Sequence, residues 1–292
     1  MRQCPESYCR SKSGNHNVAV KLVRSFVAAG AFLTCAAAPG AELHPIVEVQ
    51  TGYLFGATAD GKWIKAEKAA KTLRGEMTYH LYGLTGPLGE AKGGRPKPSE
   101  EDVCSDILTV SLSPSPDKAA IALAAPWNAL PRKAQVLDTS QKVYVDATRD
   151  FLKTKGIDKP EVKIENILRV DLNADGEEEV LISATNYFQK EEGAPMRSPA
   201  GSYSMVLLLR TIAGKVETQL VQGEFYPKAY KDDQESSFNA PNTYKVIAVL
   251  DLDGDGNMEV VVASQYYEGA ATTIYKCNPK KIEELLSVAC GV

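Results

Sequence analysis

Two short acidic runs are the residues of this chain whose types and spacing favour a definite chemistry. The run that begins at Asp171 reads Asp-Leu-Asn-Ala-Asp-Gly-Glu-Glu-Glu, and the run that begins at Asp251 reads Asp-Leu-Asp-Gly-Asp-Gly-Asn-Met-Glu. Each residue of the second run lies 80 positions after its counterpart in the first. Carboxylate and amide oxygens are the ligands that a hard cation such as Ca²⁺ prefers. The two runs therefore predict two calcium sites.

The ligands are expected at positions 1, 3, 5, 7 and 9 of each run. Side chains at positions 1, 3 and 5 can turn inward together because glycine at position 6 permits a sharp bend. Position 7 offers its backbone carbonyl, and position 9 offers a carboxylate as the next strand begins. A bound dication would remove the repulsion between such closely spaced carboxylates. The predicted ligands are Asp171, Asn173, Asp175, Glu177 and Glu179 in the first loop and Asp251, Asp253, Asp255, Asn257 and Glu259 in the second.

Two alternatives to a calcium-binding β-loop are an EF-hand and an acidic turn that binds no ion. An EF-hand opens with the same pattern but requires Glu at position 12 and a helix on each side. Position 12 is Ile182 in one run and Val262 in the other, with β-branched neighbours, so an EF-hand is excluded. Acidic turns that bind no ion are the other interpretation, since Asp, Asn and Gly are common in turns. Counting acids predicts tighter binding by the second loop, because the first has an amide at Asn173.

The elements around the loops are predicted to be mainly β. An apolar strand-like segment precedes each acidic run and three follow it, which predicts a four-stranded antiparallel unit made twice. Helices are expected at about 143–155, where Gly156 would end the helix, and at about 65–73. The predicted strands are 46–49, 77–82, 107–112, 119–124, 164–170, 179–187, 203–212, 216–221, 244–250, 259–267, 272–277 and 282–288.

The two runs resemble the FG-GAP repeats of integrin-α-like β-propellers, whose blades carry Asp-x-Asp-x-Asp-Gly-x-x-Asp loops that bind Ca²⁺. Positions 1, 3, 5 and 9 match in both runs, with Glu179 and Glu259 where the family usually has Asp. The resemblance covers about residues 165–288 and implies propeller-blade sheets held by structural calcium. Because propellers close with about four to eight blades, we expect a compact two-repeat domain packed on a second β-rich unit. The alternative is that the amino-terminal half supplies degenerate blades.

The domain organisation is predicted in three parts. Residues 1–41 have the basic head, the short apolar run and the small residues of an export signal, with cleavage near 40 or 41. The apolar run, 26–38, is shorter than the roughly 20 residues that span a bilayer, and the alternative is a packed amino-terminal helix. Lipid anchoring at Cys35 is disfavoured because Leu33-Thr34 departs from the lipoprotein pattern. Residues 42–140 are then an N-terminal β-rich subdomain, and 141–292 a C-terminal tandem calcium-loop domain.

Charge and cysteine content narrow the class of protein. Removal of 1–41 takes away five basic residues and one acidic residue, which changes the formal charge from −4 to −8. An acidic chain without a basic stretch does not match a nucleic-acid-binding protein. Three cysteines remain, and Cys290 could pair with Cys104 or with Cys277. No segment of the mature chain is apolar for long enough to span a membrane.

No catalytic constellation is evident elsewhere in the sequence. The mature chain has two histidines, His44 and His80, and neither stands at a recognised metal or nucleophile spacing. Trp63, Trp127 and the Tyr266-Tyr267 pair could line a surface for a sugar or a peptide, although packing is the commoner role of such residues.

The sequence therefore favours an exported, periplasmic or secreted, calcium-binding β-repeat protein. It would act as a binding or structural module, with a protein or a glycan as its partner, rather than as an enzyme. The alternatives are an exported hydrolase of glycans or other extracellular substrates, and a subunit of a larger surface assembly.

Overall fold

The computed structural model describes residues 42–115, 117–186, 197–230 and 239–291. The fold of these residues is mainly β, as predicted, with antiparallel strands in four sheets. The predicted export signal at 1–41, including Cys35, lies outside the described residues. The strands are β1 His44–Glu48, β2 Leu54–Ala59, β3 Lys62–Lys65, β4 Met77–Tyr82, β5 Pro87–Gly93, β6 Lys97–Pro98, β7 Leu108–Thr109, β8 Leu112–Ser113, β9 Ile121–Leu123, β10 Gln135–Leu137, β11 Ile164–Val170, β12 Glu179–Thr185, β13 Ser202–Ile212, β14 Lys215–Tyr226, β15 Thr243–Leu250, β16 Glu259–Tyr266, β17 Gly269–Asn278 and β18 Lys281–Gly291.

The amino-terminal strands form a seven-stranded sheet in the order β3-β2-β1-β9-β4-β5-β8. Successive residues of a strand face opposite sides of the sheet, and β1 shows this directly. Ile46 belongs to the large central core, whereas Val47 belongs to a second cluster that helix α1, Ala66–Ala70, covers with Ala69. The central strands β1, β2 and β9 of this first sheet are therefore buried on both faces, whereas β3 and most of β5 are not. Strands β6 and β7, which lie between β5 and β8 in the sequence, pair with each other in a separate two-stranded sheet.

The two predicted repeats form two further sheets with the same strand order. The second sheet is β10-β11-β12-β13-β14, and the third is β15-β16-β17-β18, so each strand pairs with the next along the chain. In both, the acidic loop joins the first two strands of the repeat, and the last pair before the loop is equivalent: Val170 with Glu179, and Leu250 with Glu259. The prediction of a four-stranded antiparallel unit made twice is confirmed. Strand β10, which adds to the edge of the second sheet, was not predicted.

The second and third sheets contact each other through β15. The backbone N–H of Val246 donates to Ser183 Oγ at 3.0 Å, and the N–H of Tyr244 donates to Ser204 Oγ at 2.8 Å. On the opposite face of the second sheet lies helix α2, Lys142–Thr154, whose Leu152 is fully buried in a cluster with β12 and β13. Strand β12 is consequently buried along its whole length.

Helix α2 begins and ends within one residue of its predicted bounds. Gly156, two residues after the last helical residue, has a left-handed φ of 82° and is followed by Ile157, whose N–H donates to the carbonyl of Leu152 at 3.2 Å. Glycine is the residue that takes this conformation at least cost. The second predicted helix, 65–73, is confirmed as the shorter α1.

The largest core cluster draws side chains from all three large sheets, among them Ile46 of the first, Leu168 of the second and Val260 of the third. Side chains from both sides of residue 140 therefore share one core. The boundary between a β-rich subdomain and a repeat domain at that residue stays a prediction.

A disulfide selects between the two pairings that the sequence left open. Cys104, in a turn of 3-10 helix at Asp102–Cys104, is bonded to Cys290 of β18, with Cα atoms 5.6 Å apart and a sequence separation of 186. Cys277 of β17 is a buried free thiol, and burial raises its pKa to about 12.

Strands β5 and β6 lie in a segment for which the sequence predicted no strand. The segment is rich in glycine and charge, which weakens its intrinsic tendency to form a strand, but β5 pairs with β4 along its length. Gly93 shows why the glycine matters, because a Cβ at this position would lie 2.1 Å from the ring of Tyr79. Strands β2 and β3 were also missed. All six residues of β2 are buried, so the segment has no alternating pattern to detect.

Candidate metal centre

The two acidic loops have nearly the same backbone course. Glycine at position 6 has a left-handed φ in both, 87° at Gly176 and 85° at Gly256. Position 4 is also left-handed, with a φ of 60° at Ala174 and 76° at Gly254. These bends coil the chain tightly in both loops. Among the described residues, the carboxylates brought together are those of positions 1, 3 and 9 of the second loop, whereas Asp175 and Asp255 at position 5 are exposed.

Equivalent hydrogen bonds hold the two loops. In the first, Asp171 Oδ2 accepts from the N–H of Gly176 at 3.1 Å, and Glu179 Oε2 accepts from the N–H of Leu172 at 2.9 Å. The second loop repeats both bonds at the same distances, from Gly256 to Asp251 and from Leu252 to Glu259.

The position-5 carboxylates are fixed in the same way. The N–H of Glu177 donates to Asp175 Oδ1 and that of Asn257 donates to Asp255 Oδ1, both at 2.8 Å. The side chain of Asn257 donates to the same Oδ1 at 3.0 Å, whereas the side chain of Glu177 is exposed. Both carboxylate oxygens of position 1 accept backbone hydrogen bonds from the loop in each repeat, whereas one oxygen of position 5 and one of position 9 do so.

A single arginine joins the two loops. The guanidinium of Arg132 donates to the carbonyls of Asp171 and Leu172 in the first loop and, at 2.7 Å, to that of Gly256 in the second. A backbone bond from Met258 N–H to the Leu172 carbonyl, 2.8 Å, lies beside it. The loops are therefore neighbours, and a change in one can reach the other through these carbonyls.

The second loop brings three carboxylates together. One oxygen each from Asp251, Asp253 and Glu259 lies within 4.8 Å of the others. The side chains of Asp253 and Glu259 are 3% and 0% exposed. Glu259 Oε1 is buried and accepts no hydrogen bond from the residues that the structure describes. Because a buried oxygen without a partner costs free energy, this atom indicates a place for a ligand that the protein does not itself supply.

The electrostatics of this cluster are those of carboxylates withdrawn from water. Burial, with the neighbouring charge of Asp253, raises the pKa of Glu259 to about 9, and burial also raises the pKa of Asp251. Burial opposes the ionised form of Asp255 as well, but hydrogen bonds from Lys276 and Asn257 outweigh it and lower that pKa. A cation beside the inner carboxylates, which are those of Asp251, Asp253 and Glu259, would favour the ionised forms of Asp251 and Glu259.

The first loop is more exposed to solvent than the second. Asp175 is exposed, and Asn173 Nδ2 donates to Asp175 Oδ2 at 2.8 Å. Backbone and side-chain hydrogen bonds, from Glu177 and Asn173, lower the pKa of Asp175, while burial raises the pKa of Glu179. The trio that corresponds to the inner carboxylates of the second loop is Asp171, Asn173 and Glu179, so this site would offer an amide and two acids at those positions.

Four residues at the centre were not assigned to it from the sequence. Lys276 of β17 reaches the second loop, with Nζ 3.5 Å from Asp253 Oδ2 and in contact with Asp255 Oδ2. Trp63 Nε1 donates to Asp253 Oδ2 at 3.2 Å, and Trp127 Nε1 donates to the Asp251 carbonyl at 2.9 Å. The fourth is Arg132. None of these four residues belongs to a recognisable sequence motif. Only Lys276 could have been predicted, because the register of the strands places it beside Glu259.

A second feature of the surface is a groove between the first and third sheets, with a volume of about 760 Å³. Its lining includes three tyrosines, Tyr53, Tyr266 and Tyr267, and the acidic side chains of Glu101 and Glu268. The Tyr266-Tyr267 pair thus lies on this groove, whereas the two tryptophans lie at the second loop. Of the two histidines, His80 lies 3.2 Å from Glu90, and the ring of His44 contacts that of Trp127.

Comparison of the chain with protein-family models, with curated proteins and with solved structures finds no match. Within the described part of the chain, no helix has both the length and the apolar character required to cross a membrane.

Proposed function

We propose that this chain is an exported calcium-binding β-repeat protein of the FG-GAP type, in which ions bound at the two acidic loops stabilise a binding or structural module. The observation that carries the proposal is Glu259 Oε1, a buried oxygen that accepts no hydrogen bond from the described residues and lies with Asp251 and Asp253 oxygens in one cluster. An oxygen-only ligand set suits a hard cation, and six to eight oxygens suit Ca²⁺. The ten predicted ligands of the two loops would supply most of them.

Export is supported by the disulfide. A bond between Cys104 and Cys290 persists in oxidising compartments such as the periplasm or the extracellular space. It agrees with the export signal proposed for 1–41. In such a compartment calcium at about 10⁻⁴–10⁻³ M is enough for extracellular modules.

A role as a binding module is supported by the groove. Its volume lies in the range of ligand sites, about 300–1,000 Å³, and tyrosines present flat faces and hydroxyls that suit a glycan or an extended peptide. Glycan-array binding by the wild type and by Tyr266→Ala would test this role. Loss of a bound glycan in the variant is the expected result, and no bound glycan in either protein would leave a structural role. A hydrolase, the alternative from the sequence, stays a prediction.

The calcium proposal is tested by thermal unfolding in calcium and in chelator. Calcium at a hundredfold excess over Kd adds about 2.7 kcal/mol per site, which raises the Tm of a domain of this size by about 5–10 °C. The substitution Glu259→Gln should remove much of the rise, whereas Asp158→Asn, an exposed acid after α2, should not. Equal melting curves in calcium and chelator would overturn the proposal.

A further inference from the structure

The two repeats place a basic residue at the same point of the sheet. In the second sheet Val180 pairs with Leu209, so the next positions set Glu179 beside Arg210. In the third sheet Val260 pairs with Tyr275, which sets Glu259 beside Lys276. The ninth residue of each loop, a predicted metal ligand, therefore has a basic residue directly opposite it on the neighbouring strand.

The side chains of Arg210 and Lys276 make different contacts. Arg210 is 4% exposed and turns toward the third sheet, where Nη2 donates to the Cys277 carbonyl at 2.9 Å. Among the described residues it forms no ion pair with the first loop. Lys276 instead extends into the second loop, where Nζ contacts Asp255 Oδ2 and lies 3.5 Å from Asp253 Oδ2 and 3.9 Å from Glu259 Oε1. The last distance is too long for a hydrogen bond, so Glu259 Oε1 keeps an unused lone pair.

We propose that the ammonium of Lys276 is a tethered cation that competes with the metal ion for the carboxylates of the second loop, and so sets the affinity of that loop below that of the first. This inference rests on the proposed calcium function. A lysine ammonium carries one charge and cannot satisfy every oxygen of the cluster, so a dication gains more from the site. The dication must, however, displace Lys276, which the first loop does not require of Arg210.

The consequence reverses the order expected from counting acids. The first loop, with an amide at Asn173, should fill first, and the second should fill at higher calcium as Lys276 moves out to solvent. Since Lys276 is 22% exposed as a side chain, the ammonium has a route to water without unfolding of the sheet. Calcium at the second loop would therefore free an amine on the surface.

The position of the tryptophans allows the second loop to be observed. The chain has two tryptophans, and both contact this loop, Trp63 at the Asp253 carboxylate and Trp127 at the Asp251 carbonyl. Their emission, and the luminescence they sensitise from Tb³⁺ bound in place of Ca²⁺, report binding there. Titrations would use the mature full chain with the first loop silenced by Asp175→Ala, or the second by Asp251→Asn.

The expected result is a gain of affinity when the lysine is removed. In the Asp175→Ala background, Lys276→Met should tighten calcium binding about tenfold or more, Lys276→Arg should not, and the charge-matched control Lys245→Met, on an exposed position of β15, should change it less than about twofold. Unchanged or weaker binding by Lys276→Met in that background, with calcium still bound at the first loop of the Asp251→Asn protein, would overturn the inference and leave the calcium function intact. No binding at either loop in any variant would overturn both.

A measurement without substitution decides the matter if Lys276→Met does not fold. Acylation of lysines by an amine-reactive ester, followed by mass spectrometry, reports the exposure of each Nζ. Calcium should raise the labelling of Lys276 severalfold and leave that of exposed Lys281 unchanged. If calcium stabilises the wild type but the labelling of Lys276 stays constant or falls, the ammonium is not displaced and the inference is wrong.

Discussion

The indole N–H of Trp63 donates to Oδ2 of Asp253 at 3.2 Å and so joins the first sheet to the second acidic loop. The side chain of Asp253 is 3% exposed, so this carboxylate depends on the protein for its donors. A hydrogen bond to a charged group contributes about 1.5–3 kcal/mol. The loop is thus positioned partly by a residue 190 positions away in the sequence, which explains why the sequence of the loop alone does not define the site.

The first prediction follows from this bond. The substitution Trp63→Phe should lower the free energy of unfolding by about 2–3 kcal/mol, measured by urea denaturation in chelator, because it removes the donor while retaining an aromatic ring. It should also weaken calcium binding at the second loop, which loses the alignment of Asp253. Val47→Ala, a core change in the cluster on the opposite face of the same sheet, serves as a control for stability. If Trp63→Phe alters stability but leaves calcium affinity unchanged, the bond does not orient the carboxylate for metal.

A second prediction concerns the arginine between the loops. Arg132→Ala leaves the carbonyls of Asp171, Leu172 and Gly256 without their shared donor. We expect a loss of about 2–4 kcal/mol and weaker calcium binding at both loops. Lys133→Ala, which removes a charge from the exposed neighbouring position, should be nearly neutral. Calorimetric titration of both variants would show the effect, and a loss confined to one loop would contradict a coupling role for Arg132.

A third prediction concerns the disulfide. The bond between Cys104 and Cys290 closes a loop of 186 residues, for which the chain-entropy relation gives about 5 kcal/mol of stabilisation. Reduction, or the pair Cys104→Ser and Cys290→Ser, should lower the Tm strongly without changing the fold of the acidic loops. Cys277, buried and with a raised pKa, should stay unreactive toward a thiol reagent until the mature protein unfolds. Rapid reaction of Cys277 in the native protein would show that β17 opens.

The repeats were predictable because their information is local. A strand, an acidic loop and a strand follow one another in the sequence, and β11, for example, has the predicted bounds, 164–170. The positions of Asp171, Asp251 and their partners in each loop follow from the same short pattern, since glycine at position 6 fixes the bend. Whether these loops bind calcium stays a proposal.

The strands and site residues that were not predicted depend on contacts between residues far apart in the sequence. Strand β5 forms although its glycines disfavour a strand, because it pairs with β4 along its length and because the ring of Tyr79 packs against Gly93. Lys276 and Trp63 reach the second loop from a different strand and from a different sheet. No local pattern marks such residues, since their role is set by register and by how the sheets meet.

A fourth prediction concerns Glu224, which joins the second and third sheets. Its carboxylate accepts hydrogen bonds from the hydroxyls of Tyr226 and Tyr244, at 2.6 and 2.7 Å, and from the backbone and side-chain nitrogens of Asn242, at 3.0 and 2.9 Å. Glu224→Gln should cost about 1–3 kcal/mol, whereas Glu217→Gln, on an exposed position of β14, should cost little. Equal stability of the two variants in urea would show that the network adds nothing.

The same network predicts the response to alkali. Burial and the adjacent Glu224 raise the pKa of Tyr244 and of Tyr226 above the ordinary value of 10.0. The folded protein therefore holds these protons where the unfolded chain has released them, so stability is full below pH 10 and falls as the pH rises above it. Urea midpoints between pH 8 and 11.5 would show this decline, which should be less steep in Glu224→Gln. A midpoint that stays flat to pH 11.5 in the wild type would contradict the assignment.

The last prediction concerns Ala174, the fourth residue of the first loop. Its φ of 60° lies in the left-handed region, which costs an L-residue about 1–2 kcal/mol, whereas the equivalent position in the second loop is Gly254. Ala174→Gly removes this strain but adds about 0.4–1 kcal/mol of unfolded-chain entropy, so a net stabilisation of about 0.5–1 kcal/mol is expected. Ala270→Gly in β17, where φ is not positive, should destabilise by a similar amount. If both substitutions destabilise equally in urea, position 4 of the first loop is not left-handed in solution, and the two loops do not share one backbone course.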